Sequence, residues 1–150
     1  MKSFLVVAIL LLTVGNLSAQ INDPTTWTYS VKHLKGNNYQ VVYHVSLTKG
    51  WHIFSQKPGD ESLIPPSFKL SKGSGVTPVG KLQERGTLKV EKIEGFDNTI
   101  NYYEGEVDFI QKVAVKGKVL SIKGEHEYQV CNDKMCLPPR TKEFSIKIKD

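Results

Sequence analysis

Apolar and polar positions alternate along much of this chain. Between residues 39 and 47 the apolar set Tyr39, Val41, Tyr43, Val45 and Leu47 is interleaved mostly with polar residues, and a period of two marks a strand with one buried face. The same alternation runs over residues 26–34 through Trp27, Tyr29 and Val31, and over residues 106–115 through Val107, Phe109, Val113 and Val115, with residues 118–122 continuing beyond Gly117. It returns over residues 143–149 through Phe144, Ile146 and Ile148. Shorter runs at residues 51–55, 67–71, 75–79, 87–93 and 125–131 predict further strands, and Lys35-Gly36-Asn37-Asn38 predicts a hairpin turn between the first two. No ten-residue stretch sustains a helical period. Eight or nine short strands at this spacing predict an all-β fold, an immunoglobulin-like antiparallel β-sandwich. Residues 56–66 hold three prolines that donate no ladder hydrogen bonds, so they read as a long loop, and loops of that length are often functional.

The N-terminus follows another pattern. After Met1-Lys2-Ser3, residues 4–15 are almost wholly apolar and lead into Asn16-Leu17-Ser18-Ala19-Gln20. A membrane span needs about 20 apolar residues, whereas this shorter run ending in small residues reads as a signal peptide over residues 1–19, cleaved after Ala19. The remainder, residues 20–150, is expected to be one domain. It is expected to be periplasmic or otherwise secreted, and not membrane-spanning once the leader is removed. Without Lys2 the 20 Lys and Arg become 19, against 15 Asp and Glu. These charges are interspersed, and with no concentrated basic face nucleic acid is not an expected partner.

Export bears on the two cysteines, because an oxidising compartment lets them persist as a disulfide. Cys131 closes one predicted strand, and Cys136 follows the four-residue link Asn132-Asp133-Lys134-Met135. Facing residues of antiparallel strands have Cα atoms about 4.5–5.5 Å apart, within the roughly 4.4–6.8 Å that a disulfide spans. A bridge across this hairpin is therefore easy, and it could serve as a staple or as an exchanging pair. A ring of about six residues stabilises by roughly 2 kcal/mol in the chain-entropy account. The hairpin's own hydrogen bonds make that an upper figure. Pro138 and Pro139 block strand pairing just after Cys136 and leave its sulfur at a rim.

Metal chemistry fits less well. His33, His44, His52, His126 and Met135 are available, but a blue-copper loop needs a His soon after its Cys, and no His follows His126. Structural zinc usually takes two close ligand pairs, and one exists here. Neither metal nor cofactor is expected, and the histidines read as strand or surface residues.

The segment Tyr128-Gln129-Val130-Cys131, a short loop, then Cys136-Leu137-Pro138-Pro139 resembles the N-terminal periplasmic domain of the thiol:disulfide interchange protein DsbD family. Residues 96–103, with Phe96 followed seven residues later by Tyr103, resemble that family's cap-loop segment. Gly50-Trp51-His52-Ile53-Phe54 resembles its aromatic strand. The resemblance implies an immunoglobulin-like domain whose dithiol takes electrons from one thioredoxin-like partner and passes them to other thioredoxin-fold proteins. It implies that Cys136 forms the mixed disulfide, that Cys131 resolves it and that Phe96 is the lid, with Tyr103, His52 and Phe54 around the site. The electron source would be a separate protein, a membrane electron-transfer protein being the expected one. The chain would be a carrier, a protein-disulfide reductase of limited self-sufficiency. The competing expectation is an exported binding or assembly module with a purely structural hairpin disulfide.

Overall fold

A computed structural model describes residues 23–148; the signal peptide expected at residues 1–19 lies outside them. The alternating stretches form strands because their apolar residues can share one face while the backbone pairs sideways. Eleven strands lie among the described residues: β1 (Thr25–His33), β2 (Asn38–Leu47), β3 (His52–Phe54), β4 (Ser67–Leu70), β5 (Val76–Gly86), β6 (Lys89–Lys92), β7 (Thr99–Glu104), β8 (Glu106–Val115), β9 (Ser121–Tyr128), β10 (Val130–Cys131) and β11 (Arg140–Lys147). They pair as three sheets in the orders β1-β2-β8-β5, β10-β3-β7-β6 and β11-β9-β4. Neighbouring strands are antiparallel throughout.

The first sheet makes one layer of the sandwich. Its inward face carries Val41, Tyr43 and Val45 of β2 beside Val107, Phe109 and Val113 of β8, all buried. The other two sheets close the core from the opposite side with Ile53, Tyr103, Val130, Ile122, Tyr128, Phe144 and Ile146. Aromatic contacts stitch the layers, with the Tyr43 ring 4.2 Å from Phe68 and 5.1 Å from Phe144. The β1–β2 hairpin pairs Thr25 with Leu47 through to His33 with Tyr39. Its turn is closed by the Asn38 N–H donating to the Lys35 carbonyl at 3.1 Å. At the start of β1, Asp23 accepts from the Tyr128 hydroxyl and from Lys142 Nζ, each at 2.7 Å, and ties this end to β9 and β11.

The structure departs from the alternation in three places. Residues 99–104, where no strand was expected and which overlap the cap-loop-like segment at residues 96–103, form β7 and run between β3 and β6. Ile100 and Tyr102 bury toward one side and Tyr103 toward the other, so a strand covered on both faces shows no period of two. β5 extends to Gly86, well past the expected residue 79. It is a mostly exposed edge strand with a register shift between Val79 and Gln83, and therefore carries little apolar signal. The runs expected at residues 118–122 and 125–131 rearrange into β9 and the two-residue β10, which joins a different sheet.

His126 is fully buried on β9, its ring 4.2 Å from that of Trp27 in a tilted contact and hydrogen-bonded through Nε2 to the Tyr29 hydroxyl at 2.8 Å. Burial first, then the charge of Lys142, lowers its pKa to about 4, so the core holds a neutral imidazole.

Candidate thiol–disulfide site

Asn132, Asp133, Lys134 and Met135 reverse the chain without a glycine. The Asn132 side-chain carbonyl accepts the N–H groups of Lys134 and Met135, both at 2.9 Å, replacing the bond its own backbone carbonyl would make in a tight hairpin. Asn132 N–H donates to the Met135 carbonyl and Leu137 N–H to the Val130 carbonyl, each at 2.9 Å. These two bonds bracket Cys131 and Cys136, which form an isolated antiparallel bridge. The cysteines are thus a non-hydrogen-bonded pair, the position of closest side-chain approach. Their Cα atoms are 4.0 Å apart and their sulfurs are joined. Pro138 and Pro139 follow, exposed, and β11 begins only at Arg140.

The two sulfurs have different surroundings. Along β10 successive side chains point to opposite faces, so Val130 enters the main core and Cys131 turns to a second cluster with Phe54, Leu63, Ile100 and Tyr102. Cys131 is 2% exposed, whereas Cys136 is exposed. Leu63 comes from the long loop at residues 55–66, which is held in place by Glu84. Its carboxylate accepts from Gln56 N–H at 2.6 Å and from the Ser55 hydroxyl at 2.9 Å. Gly59 sits in the same loop at φ 98°, where a Cβ would collide with the Thr99 carbonyl.

A groove of about 430 Å³ opens over the disulfide. Its lining includes both cysteines and three of the residues singled out beforehand, His52, Phe54 and Phe96. His52 is the register partner of Cys131 across β3 and β10. Phe54, two residues on, shares its face, while Ile53 between them enters the main core. Phe96 packs against the cluster that buries Cys131, from the loop following β6. Tyr103 is elsewhere. It lies in the main core and donates to Glu84 Oε2 at 3.2 Å, because the alternation of β7 turns its neighbour Tyr102 to the groove instead. Tyr102 was missed; the i, i+2 pair Ile100 and Tyr102 would have identified it had residues 99–104 been read as a strand. A larger, more open concavity of about 650 Å³ along β4, β9 and β11 contains neither cysteine.

The groove is apolar with an acidic edge. Tyr102 donates to Glu91 Oε2 at 2.7 Å, and burial together with that carboxylate pushes its pKa above the ordinary phenol range, so it remains a donor. Burial lowers the pKa of His52, against the opposing pull of Glu104, Asp133 and Glu91. Among the described residues no group of three or more His, Cys, Asp or Glu is placed to hold a metal ion. Chemically, the arrangement presents one sulfur to an incoming thiolate and shelters the other. In-line attack on Cys136 would expel Cys131 as the leaving sulfur.

A family model described as "Thiol:disulfide interchange protein DsbD, N-terminal" matches residues 19–148. No curated protein sequence matches. Among solved structures the chain is similar to the N-terminal periplasmic domain of ScsB from Proteus mirabilis, with 16% identity and a TM-score of 0.65 over 84% of this chain and 47% of that one. It is also similar to the Neisseria meningitidis DsbD N-terminal domain in the reduced form, with 16% identity and a TM-score of 0.55 over 83% and 86%. The chain thus spans about half the length of the ScsB domain. At this identity the likeness is one of fold, an immunoglobulin-like sandwich.

Proposed function

This chain belongs to the family of DsbD N-terminal domains, and from that premise we propose that it is an exported thiol–disulfide exchange protein relaying reducing equivalents between thioredoxin-like partners. Residues 1–19 are removed on export, and residues 20–150 act as a carrier in the periplasm or a similar compartment. Electrons reach it from a separate protein, a membrane electron-transfer protein being the source we favour. The observation that carries this reading is the asymmetry of the pair, with Cys136 exposed and its bonded partner Cys131 buried.

In the reduced state the Cys136 thiolate attacks a partner disulfide and forms a mixed disulfide. Cys131 then attacks Cys136, the partner leaves as a dithiol, and the chain is left oxidised; two electrons and two protons pass to the partner. Reduction runs these steps backward from a reduced thioredoxin-like donor. Phe96 acts as the lid. It covers the cluster around Cys131 and slows attack by small thiols, while a docking protein displaces it.

The test is Cys131→Ser in the exported protein. With the resolving sulfur gone, adducts with thioredoxin-like envelope proteins should accumulate through Cys136, disappear on reduction and be absent when Cys136 is also Ser. If no such adduct forms with any of these proteins, the relay reading fails.

A further inference from the structure

Any exchange through this pair must remove a proton from the sheltered thiol, and solvent reaches Cys131 poorly at 2% exposure. A group suited to accept it stands on the adjacent strand. His52 faces Cys131 in the β10–β3 register, and directly opposed cross-strand residues place their Cβ atoms about 4.5–5.5 Å apart on one face of the sheet. Both side chains line the same groove. The imidazole is half-buried, packed 4.7 Å from the Tyr102 ring and 5.5 Å from Phe54. Among the described residues it makes these ring contacts and no hydrogen bond, so its nitrogens are not committed elsewhere.

We propose that His52 is the proton acceptor for the Cys131 thiol in the step that resolves the mixed disulfide. This rests on the exchange reading above. Before the step, Cys136 Sγ is bonded to the partner's sulfur and Cys131 carries its proton. The Cys131 Sγ–Cys136 Sγ bond forms and the Cys136–partner bond breaks. The electron pair of the broken bond leaves on the partner as thiolate, and the Cys131 proton passes to His52 and on to that thiolate or to water. In the reverse direction protonated His52 returns the proton to Cys131 as it leaves.

The surroundings suit both halves of this cycle. Burial keeps the imidazole neutral and able to accept at neutral pH, while Glu104 of β7, Glu91 of β6 and Asp133 of the turn favour the imidazolium once formed. Lys89 opposes it, and is itself paired with Glu104 at 2.6 Å. Tyr102 stays protonated, committed to Glu91, and Lys134 at the groove carries no acceptor lone pair when charged. The carboxylates Glu91 and Asp133 also line the groove, but His52 is the base that the strand register sets directly opposite Cys131.

The experiment uses the reduced protein and one equivalent of dithiobis-nitrobenzoate, an aromatic disulfide whose thiolate is coloured. The first coloured thiolate reports attack by Cys136, and the second reports resolution by Cys131. In the wild type the second phase should rise as pH passes through the His52 titration, below the ordinary imidazole value of about 6.5, and then level off. In His52→Gln and His52→Phe it should be slower by about tenfold or more at pH 7, climbing only toward the ordinary thiol pKa of about 8.5. A second phase with the wild-type pH profile in both variants overturns the proposal, even if the rate drops, because lost packing alone would do that. If the wild type releases no first thiolate, the exchange reading falls and takes this proposal with it; a normal first phase beside a profile indifferent to His52 removes only the role of His52.

Discussion

Cys131 and Cys136 share a covalent bond, yet one is buried among Phe54, Leu63, Ile100 and Tyr102 and the other faces solvent. The difference arises because β10 turns Cys131 into the groove side of its sheet, while Cys136 stands beside two prolines that keep the following chain out of the ladder.

Alkylation should register this asymmetry. After reduction, Cys136 should react with iodoacetamide faster than Cys131 by about tenfold or more in the folded state, since access limits the buried thiol. Peptide mass spectrometry at timed quenches measures both rates. The ratio should fall toward one in denaturant; a ratio near one in the native protein would contradict the sheltering of Cys131.

Phe96→Ala should uncover the disulfide. Its ring is only partly buried and comes from a loop, so the stability loss should be about 1 kcal/mol, below the roughly 3–5 kcal/mol of a fully buried Phe→Ala change. Reduction by glutathione, followed by gel shift of alkylated samples, should speed up several-fold. An unchanged rate would remove Phe96 from the lid role.

The disulfide should matter little for stability. Its ring is short and the hairpin is independently closed by Asn132, so the oxidised and reduced forms should differ by about 2 kcal/mol or less. Urea unfolding of both forms gives the difference. A loss well above that figure, together with a reduction potential below about −300 mV, would favour a staple.

Acid should weaken the fold in two stages. His126 has a pKa of about 4 in the native state against the usual 6.5, so between these values the unfolded chain binds the extra proton and stability falls as pH drops. The full loss is up to about 3 kcal/mol, and it is absent above pH 6.5, where His126 is neutral in both states. His52, also lowered, adds to the same decline. Burial alone would raise the pKa of Asp23, but bonds from Lys142, Tyr128 and Thr25 bring it to about 2. Its contribution is complete above its unfolded value of about 3.8 and fades as pH falls toward 2. Denaturation curves at pH 7, 5.5 and 4 should show the first stage reduced in His126→Phe; equal slopes in the two proteins would refute this assignment.

The parts of this molecule legible in its sequence are those where one face is buried and the other wet. β2 and β8 match their expected spans to within a residue because inward and outward residues alternate through the core-facing part of β2 and most of β8, where the adjacent Phe109 and Ile110 are the break. The cysteine hairpin was legible too, since four intervening residues leave few ways for the two thiols to be apart. β7 was not, because Tyr102 and Tyr103 are both buried, against different clusters. The same ambiguity put Tyr103 where Tyr102 belongs.

By itself, then, the sequence determined the all-β character, the main hairpin and the pairing of Cys131 with Cys136, all of which depend on neighbours a few residues apart. Only the tertiary structure decided what shelters Cys131, that His52 stands opposite it, and that Leu63 and Tyr102 help enclose it. Those contacts join β10 to β3, β7 and the loop at residues 55–66, segments far apart along the chain. A local period states which side of a strand is apolar; the pairing of distant strands decides what that side will meet.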